Sequence, residues 1–259
     1  MKTKQLLVWV AIVVSLGCGA ASRGATFSDF EEPKYTNGTN VIGLDGWSRG
    51  SGAPAAVVTP DPKSGYLNIL EGTQSMFLGG GSIRRGWCGL ESSVAANGLY
   101  VSVLLQRPDG LGPAGVYLSD DLQGGSTPAG IELDGDGNLN VFASSATKGV
   151  TIPTGVFYEA RKAYRLGMLF NFEEGAFTAF SENVTDAEPA VNLGTHRIAG
   201  PPIELANLKS KGGLFVSSTG GVTIFDDFQV RTNGAPTSST APTRSVPKPG
   251  AGTPAGRAR

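Results

Sequence analysis

Two stretches near the ends of the chain decide the fold: Thr26-Phe-Ser-Asp-Phe-Glu-Glu32 and Val222-Thr-Ile-Phe-Asp-Asp-Phe-Gln-Val230. Each reads as a short strand carrying acids among apolar residues. As the first and last strands of one domain, lying side by side, they bring Asp29 and Glu31 to Asp226 and Asp227. Clustered carboxylates repel one another unless paired, protonated or bound to a metal. The expectation is therefore a β-sandwich closed by its own termini, with a cation at the closure. Oxygen ligands in a chain with a single histidine point to calcium rather than zinc. In a regular strand Ile224, Asp226, Phe228 and Val230 share a face, which predicts Asp226 as the inward acid with Asp29 or Glu31 opposite.

Strand patterns continue between these ends, and no window reads as a helix. Leu99–Gln106 and Ala114–Ser119 flank the turn-rich Arg107–Pro113. Ile131–Leu133 and Leu139–Phe142 flank Asp134-Gly-Asp-Gly-Asn138, whose glycines and Asx residues suit a tight hairpin turn. A second hairpin runs from Tyr164 to Glu182, with Tyr164, Leu166, Met168, Phe170 and Phe172 on one face and Phe177 and Ala179 on the return arm. Gly213–Ser218 and Val222–Val230 read as a final pair around Thr219-Gly-Gly221.

Residues 1–25 read as a secretory signal peptide: Lys2 and Lys4, the apolar run Leu6–Leu16, then small residues. The run is too short to span a bilayer. Ser15-Leu-Gly-Cys18 approaches a bacterial lipobox, so lipidation at Cys18 is a second reading of the segment. Without Cys18, Cys88 stands alone and an intramolecular disulfide is impossible. The expected location is secreted, periplasmic or at the cell surface. Residues 26–232 form one domain by length, and residues 233–259 form a disordered Pro/Ala/Thr-rich tail with too few large apolar residues to offset the entropy of ordering. All 22 acids lie in residues 26–232, whereas the tail holds only Arg244, Lys248, Arg257 and Arg259 as charged residues. An acidic body excludes nucleic-acid binding by the folded part. Membrane attachment would run only through lipid on Cys18 or through the basic tail.

Four of these stretches carry a resemblance. Phe27-Ser-Asp-Phe-Glu31, Gly43-Leu-Asp-Gly-Trp47, the Tyr164-Arg-Leu166 arm and Phe225-Asp-Asp-Phe-Gln-Val230 resemble the concanavalin A-like and LamG-like jelly rolls of exported bacterial proteins. The resemblance implies an all-β, concanavalin A-like jelly-roll β-sandwich, a polysaccharide or glycoconjugate as partner, and a structural calcium. Its ligands would be a first-strand acid, Asp29 or Glu31, and Asp226 or Asp227 of the last strand.

Aromatic and guanidinium groups are the natural grips for a sugar face, which nominates Trp47, Trp87, Tyr117, Arg84 and Arg85 for ligand binding. The remaining motif is Glu132-Leu-Asp134-Gly-Asp136, similar to the Glu-x-Asp-x-Glu strand of laminarinase-like glycoside hydrolases. There, alternate acids on one strand face flank the scissile bond. Asp136 replaces the terminal Glu, and Gly135 and Gly137 interrupt the strand. The expectation is therefore a noncatalytic carbohydrate-binding or surface-interaction module, calcium-assisted. The alternatives are a hydrolase using Glu132 and Asp136, or a structural envelope or matrix protein.

Overall fold

The last strand, β13 (Gly213–Thr232), runs through both layers of the molecule and joins them. The computed structural model describes residues 26–28, 30, 35–52, 55–58, 74–86, 98–108, 112–119, 122, 127, 129–144, 149–198 and 211–232. Among them are thirteen strands, all paired antiparallel. The first half of β13, Gly213–Ser218, lies between β4 (Ser75–Gly86) and β6 (Ala114–Ser119). Its second half lies between β4 and β5 (Leu99–Gln106).

Two sheets follow from that division. The front sheet runs β2 (Trp47–Ser51), β4, β13, β6, β7 (Ala129–Leu133), β8 (Asn138–Ser144), β9 (Gly149–Phe157). The back sheet runs β3 (Ala55–Val58), β4, β13, β5, β10 (Ala163–Asn171), β11 (Ala176–Asn183), β12 (Val191–Arg197). β10 faces β7 and β12 faces β8 and β9 across the interior, which makes the layers a sandwich.

The segment around Thr219-Gly-Gly221, expected as a hairpin turn, is a bend within one continuous strand. The register slips between Ser218 and Val222, opposite Gly79-Gly-Gly81 of β4, so the paired strands turn together from one sheet into the other. Gly80 and Gly220 hold left-handed φ values of 78° and 73° at that bend, which a side chain would oppose. The other two hairpins form as expected, β7–β8 around Asp134–Gly137 and β10–β11 around Phe172–Gly175.

Alternating residues of both sheets meet in a single core. Val116, Ile131 and Val141 come from the front sheet; Val101, Val103, Leu166, Met168, Phe170 and Phe177 come from the back. Each such side chain contributes about 1.5–3 kcal/mol on burial. One end is closed by Phe30, Tyr35, Trp47 and Phe228, with ring centroids 5.2–5.9 Å apart. β1 (Thr26–Ser28) pairs with β13 at Thr26–Gln229 and Ser28–Phe228, so the first and last strands are neighbours as the end motifs imply.

Candidate functional site

The side of the front sheet that faces away from the core carries an aromatic strip. Pairing places Ser48, Arg84, Phe215, Tyr117, Gly130, Phe142 and Thr151 in one row across seven strands. Side chains directly opposite one another in adjacent strands share a face. Tyr117 lies 5.2 Å from Phe215 and 6.0 Å from Phe142, ring centre to ring centre. All three rings are half-buried.

Small residues set how the rings lie. A Cβ added at Gly130 would run into the Tyr117 ring, and one added at Gly149 would run into the tip of Phe142. A Cβ at Gly115 would stand 2.7 Å from the Tyr117 hydroxyl. The rings therefore lean across glycine instead of standing upright, and they form a low platform.

Glu132 stands in the adjacent row, opposite Gly115 on β6 and Asn140 on β8. The Tyr117 hydroxyl donates to its Oε2 at 3.0 Å, and the Thr151 hydroxyl donates to its Oε1 at 2.9 Å. Burial, reinforced by the neighbouring Glu132 carboxylate, pushes the Tyr117 phenol well above its ordinary value. Tyr117 thus remains a proton donor to Glu132 throughout the physiological range. On β4, next to the β2 end of the row, Arg84 donates from Nη1 to the Leu122 carbonyl.

The outer side of the back sheet carries a charged network around Arg165, with Tyr100 among it. Arg165 of β10 places Nη2 2.7 Å from Asp227 Oδ2 and Nη1 3.5 Å from Ser102 Oγ. Gln229 Nε2 donates to Asp227 Oδ2, and Arg231 Nη2 donates to Gln229 Oε1 at 2.7 Å. Asp226 accepts from Ser75 Oγ at 3.0 Å and from the Asp227 amide at 2.8 Å. Burial pushes the Tyr100 phenol up on this side as well, with the Ser102 hydrogen bond and the charges of Arg165 and Arg231 opposing it.

These placements correct several sequence expectations. Trp47 is 1% exposed and packed into the closing aromatic cluster, so its ring is out of a ligand's reach. Arg85 points inward: it is 4% exposed, pairs with Asp45 at 2.6 Å and lies over the Trp47 ring at 5.8 Å. Alternation along β4 separates it from Arg84, which stays on the platform side.

Asp226 does not point inward. Asp227 has φ +38° at a bulge where the pairing with β5 slips, and the slip reverses the facing of the strand. Phe225, Phe228 and Val230 enter the core, while Asp226 pairs opposite Leu104 on the outer side. The guanidinium of Arg165 pairs with Asp227, which weakens that carboxylate as a ligand for a cation. Trp87, Asp29 and Glu31 lie outside the described residues. Among the described residues no three of His, Cys, Asp or Glu converge.

Glu132, Asp134 and Asp136 do not share a strand face. β7 ends at Leu133, and the Asp134 carboxylate caps the turn, accepting from the amides of Asp136 and Asn138 and from Asn138 Nδ2 at 2.8–2.9 Å. Asp136 is exposed at the hairpin tip. Phe215, Phe142 and the glycines beneath the rings were not nominated from sequence. The alternation of Gly130 with Glu132 and of Asn140 with Phe142 was the available signal, but it acquires meaning only once the register of several strands is known.

No family model matches the sequence, and no curated protein matches it. Solved structures do match. A protein of unknown function, SO2946 from Shewanella oneidensis MR-1, aligns with TM-score 0.50 and 14% identity over 90% of this chain and 99% of that one. The likeness is one of fold. A sialidase aligns with TM-score 0.48 and 14% identity over 83% of this chain, which spans only 19% of the sialidase. A lectin, UEA-II complexed with galactose, aligns with TM-score 0.44 and 9% identity over 77% of this chain and 98% of the lectin.

Proposed function

We propose that this chain is an exported, noncatalytic carbohydrate-binding module, and that a polysaccharide or glycoconjugate lies on the outer side of the front sheet. The reading rests on one observation: Phe215, Tyr117 and Phe142 form a half-buried platform beside Glu132. Such rings offer flat apolar faces for sugar C–H groups, and the carboxylate offers acceptors for sugar hydroxyls. Binding is favoured over hydrolysis because retention needs two carboxyl groups about 5–5.5 Å apart, and Glu132 has neither Asp134 nor Asp136 beside it on a common face. Calcium at the strand closure belongs to the proposal, with Asp226 and the acids of Asp29-Phe-Glu31 as ligands and Asp227 left to Arg165. There the ion would supply charge compensation and nothing chemical.

The test is a glycan array probed with the wild-type protein and Phe142→Ala, each with calcium and with chelator. The expected result is binding by the wild type that falls by about tenfold or more in the variant, since aromatic anchors carry a large share of such contacts. A folded wild type that binds no glycan in either condition rejects the reading.

A further inference from the structure

We infer that the platform selects neutral, hydroxyl-rich glycans and rejects carboxylated or sulfated ones, an inference that rests on the carbohydrate-binding reading above. Glu132 is the only charged residue in β6, β7, β8 and β9, the four strands that build most of the surface. Its two oxygens have about four lone-pair positions, and two are occupied, by Tyr117 and Thr151. The remaining capacity is acceptor only. A sugar hydroxyl can donate to it; a carboxylate or sulfate ester cannot, and brings like charge to a half-buried surface.

The nearest cation in the row does not offset that charge. Arg84 is on β4 and Glu132 on β7, with β13 and β6 between them. Three strand spacings separate their backbones by about 14 Å. That separation exceeds the screening length of about 8 Å at physiological ionic strength, so Arg84 offers only weak compensation to a ligand anion seated beside Glu132. The carboxylate therefore acts as a rejecting element as well as an acceptor, and discrimination of this kind comes from repelling the wrong ligand.

The experiment compares neutral oligosaccharides with uronate, sialylated and sulfated versions of the same backbones, by array and then by titration calorimetry on the pairs that bind. Wild type is expected to hold the neutral member at least about tenfold more tightly than its acidic counterpart. Glu132→Gln should narrow that ratio several-fold. Thr151→Lys, at an exposed edge position, should narrow it by setting a cation beside the retained Glu132 carboxylate in place of the Thr151 hydroxyl, which keeps the test open if Glu132→Gln folds poorly. Acidic members bound as well as or better than neutral ones by the wild type would overturn the inference while the binding function stands. Absence of any glycan binding would overturn both.

Discussion

Arg165 on β10 and Asp227 on β13 are joined at 2.7 Å across β5, although Asp227 sits in a strand bulge with a left-handed backbone. The residue adopts a conformation rare outside glycine, and its carboxylate ends up against a guanidinium with both side chains largely shielded from water. Removing one partner of such a pair takes from the other buried charge its opposite charge at 2.7 Å. Arg165→Met and Asp227→Asn should each lower the free energy of unfolding by about 3–5 kcal/mol, and the double variant by clearly less than the sum. Urea titrations of the four proteins measure this. Asp227→Asn should lower the melting temperature equally in calcium and in chelator, because the partner of Asp227 is a side chain; a loss seen only with calcium present would return that acid to a metal.

Gly130 is the position where the platform can be damaged without opening the core. In Gly130→Ala the new methyl meets the Tyr117 ring, which must lift and give up its hydrogen bond to Glu132. The expected outcome is a stability loss of about 1–3 kcal/mol with a retained fold, together with a loss of glycan affinity of about tenfold or more. Circular dichroism and calorimetry on the same sample check the two together.

Asp134 supplies a pH signature for the β7–β8 hairpin. Burial alone would raise its pKa, but hydrogen bonds from Asn138, Asp136 and Asn140 outweigh that and hold the carboxyl below its ordinary value. A folded-state pKa below the unfolded one means the stabilisation is present above the unfolded value, about 3.9, and is lost as pH falls through the folded value. Asp134→Asn should therefore be less stable than the wild type by about 1–2 kcal/mol at neutral pH. The difference should shrink steadily below about pH 4. A gap unchanged down to pH 2 would show that the charge plays no part in the cap.

What was legible in the sequence was local. The two tight hairpins were readable because turn chemistry and alternation agree within a dozen residues, as at Asp134–Asn138 and Glu173–Gly175. The pairing of the end strands was readable from their matching composition. The facing of Asp226 was not, because parity assumes a regular strand and the bulge at Asp227 resets it. Thr219-Gly-Gly221 looked like a turn because glycines mark turns, whereas here they bend a strand that stays paired on both sides. The platform was partly legible: Tyr117, Arg84 and Glu132 were chosen for their chemistry, but their common face with Phe215 and Phe142 comes from pairing between strands far apart in sequence.

The passage of β13 through both layers has a mechanical consequence. Phe215 on the aromatic side and Asp227 on the charged side belong to one uninterrupted strand, clamped by neighbours along both edges. Sliding that strand by one residue would turn Phe215 inward and Leu214 outward in the front layer, and would pull Phe228 and Val230 from the interior of the back layer at the same time. Neither layer can shift its pairing alone. The sandwich is thus held in a single alignment by its final segment, and its two faces melt or persist as one unit.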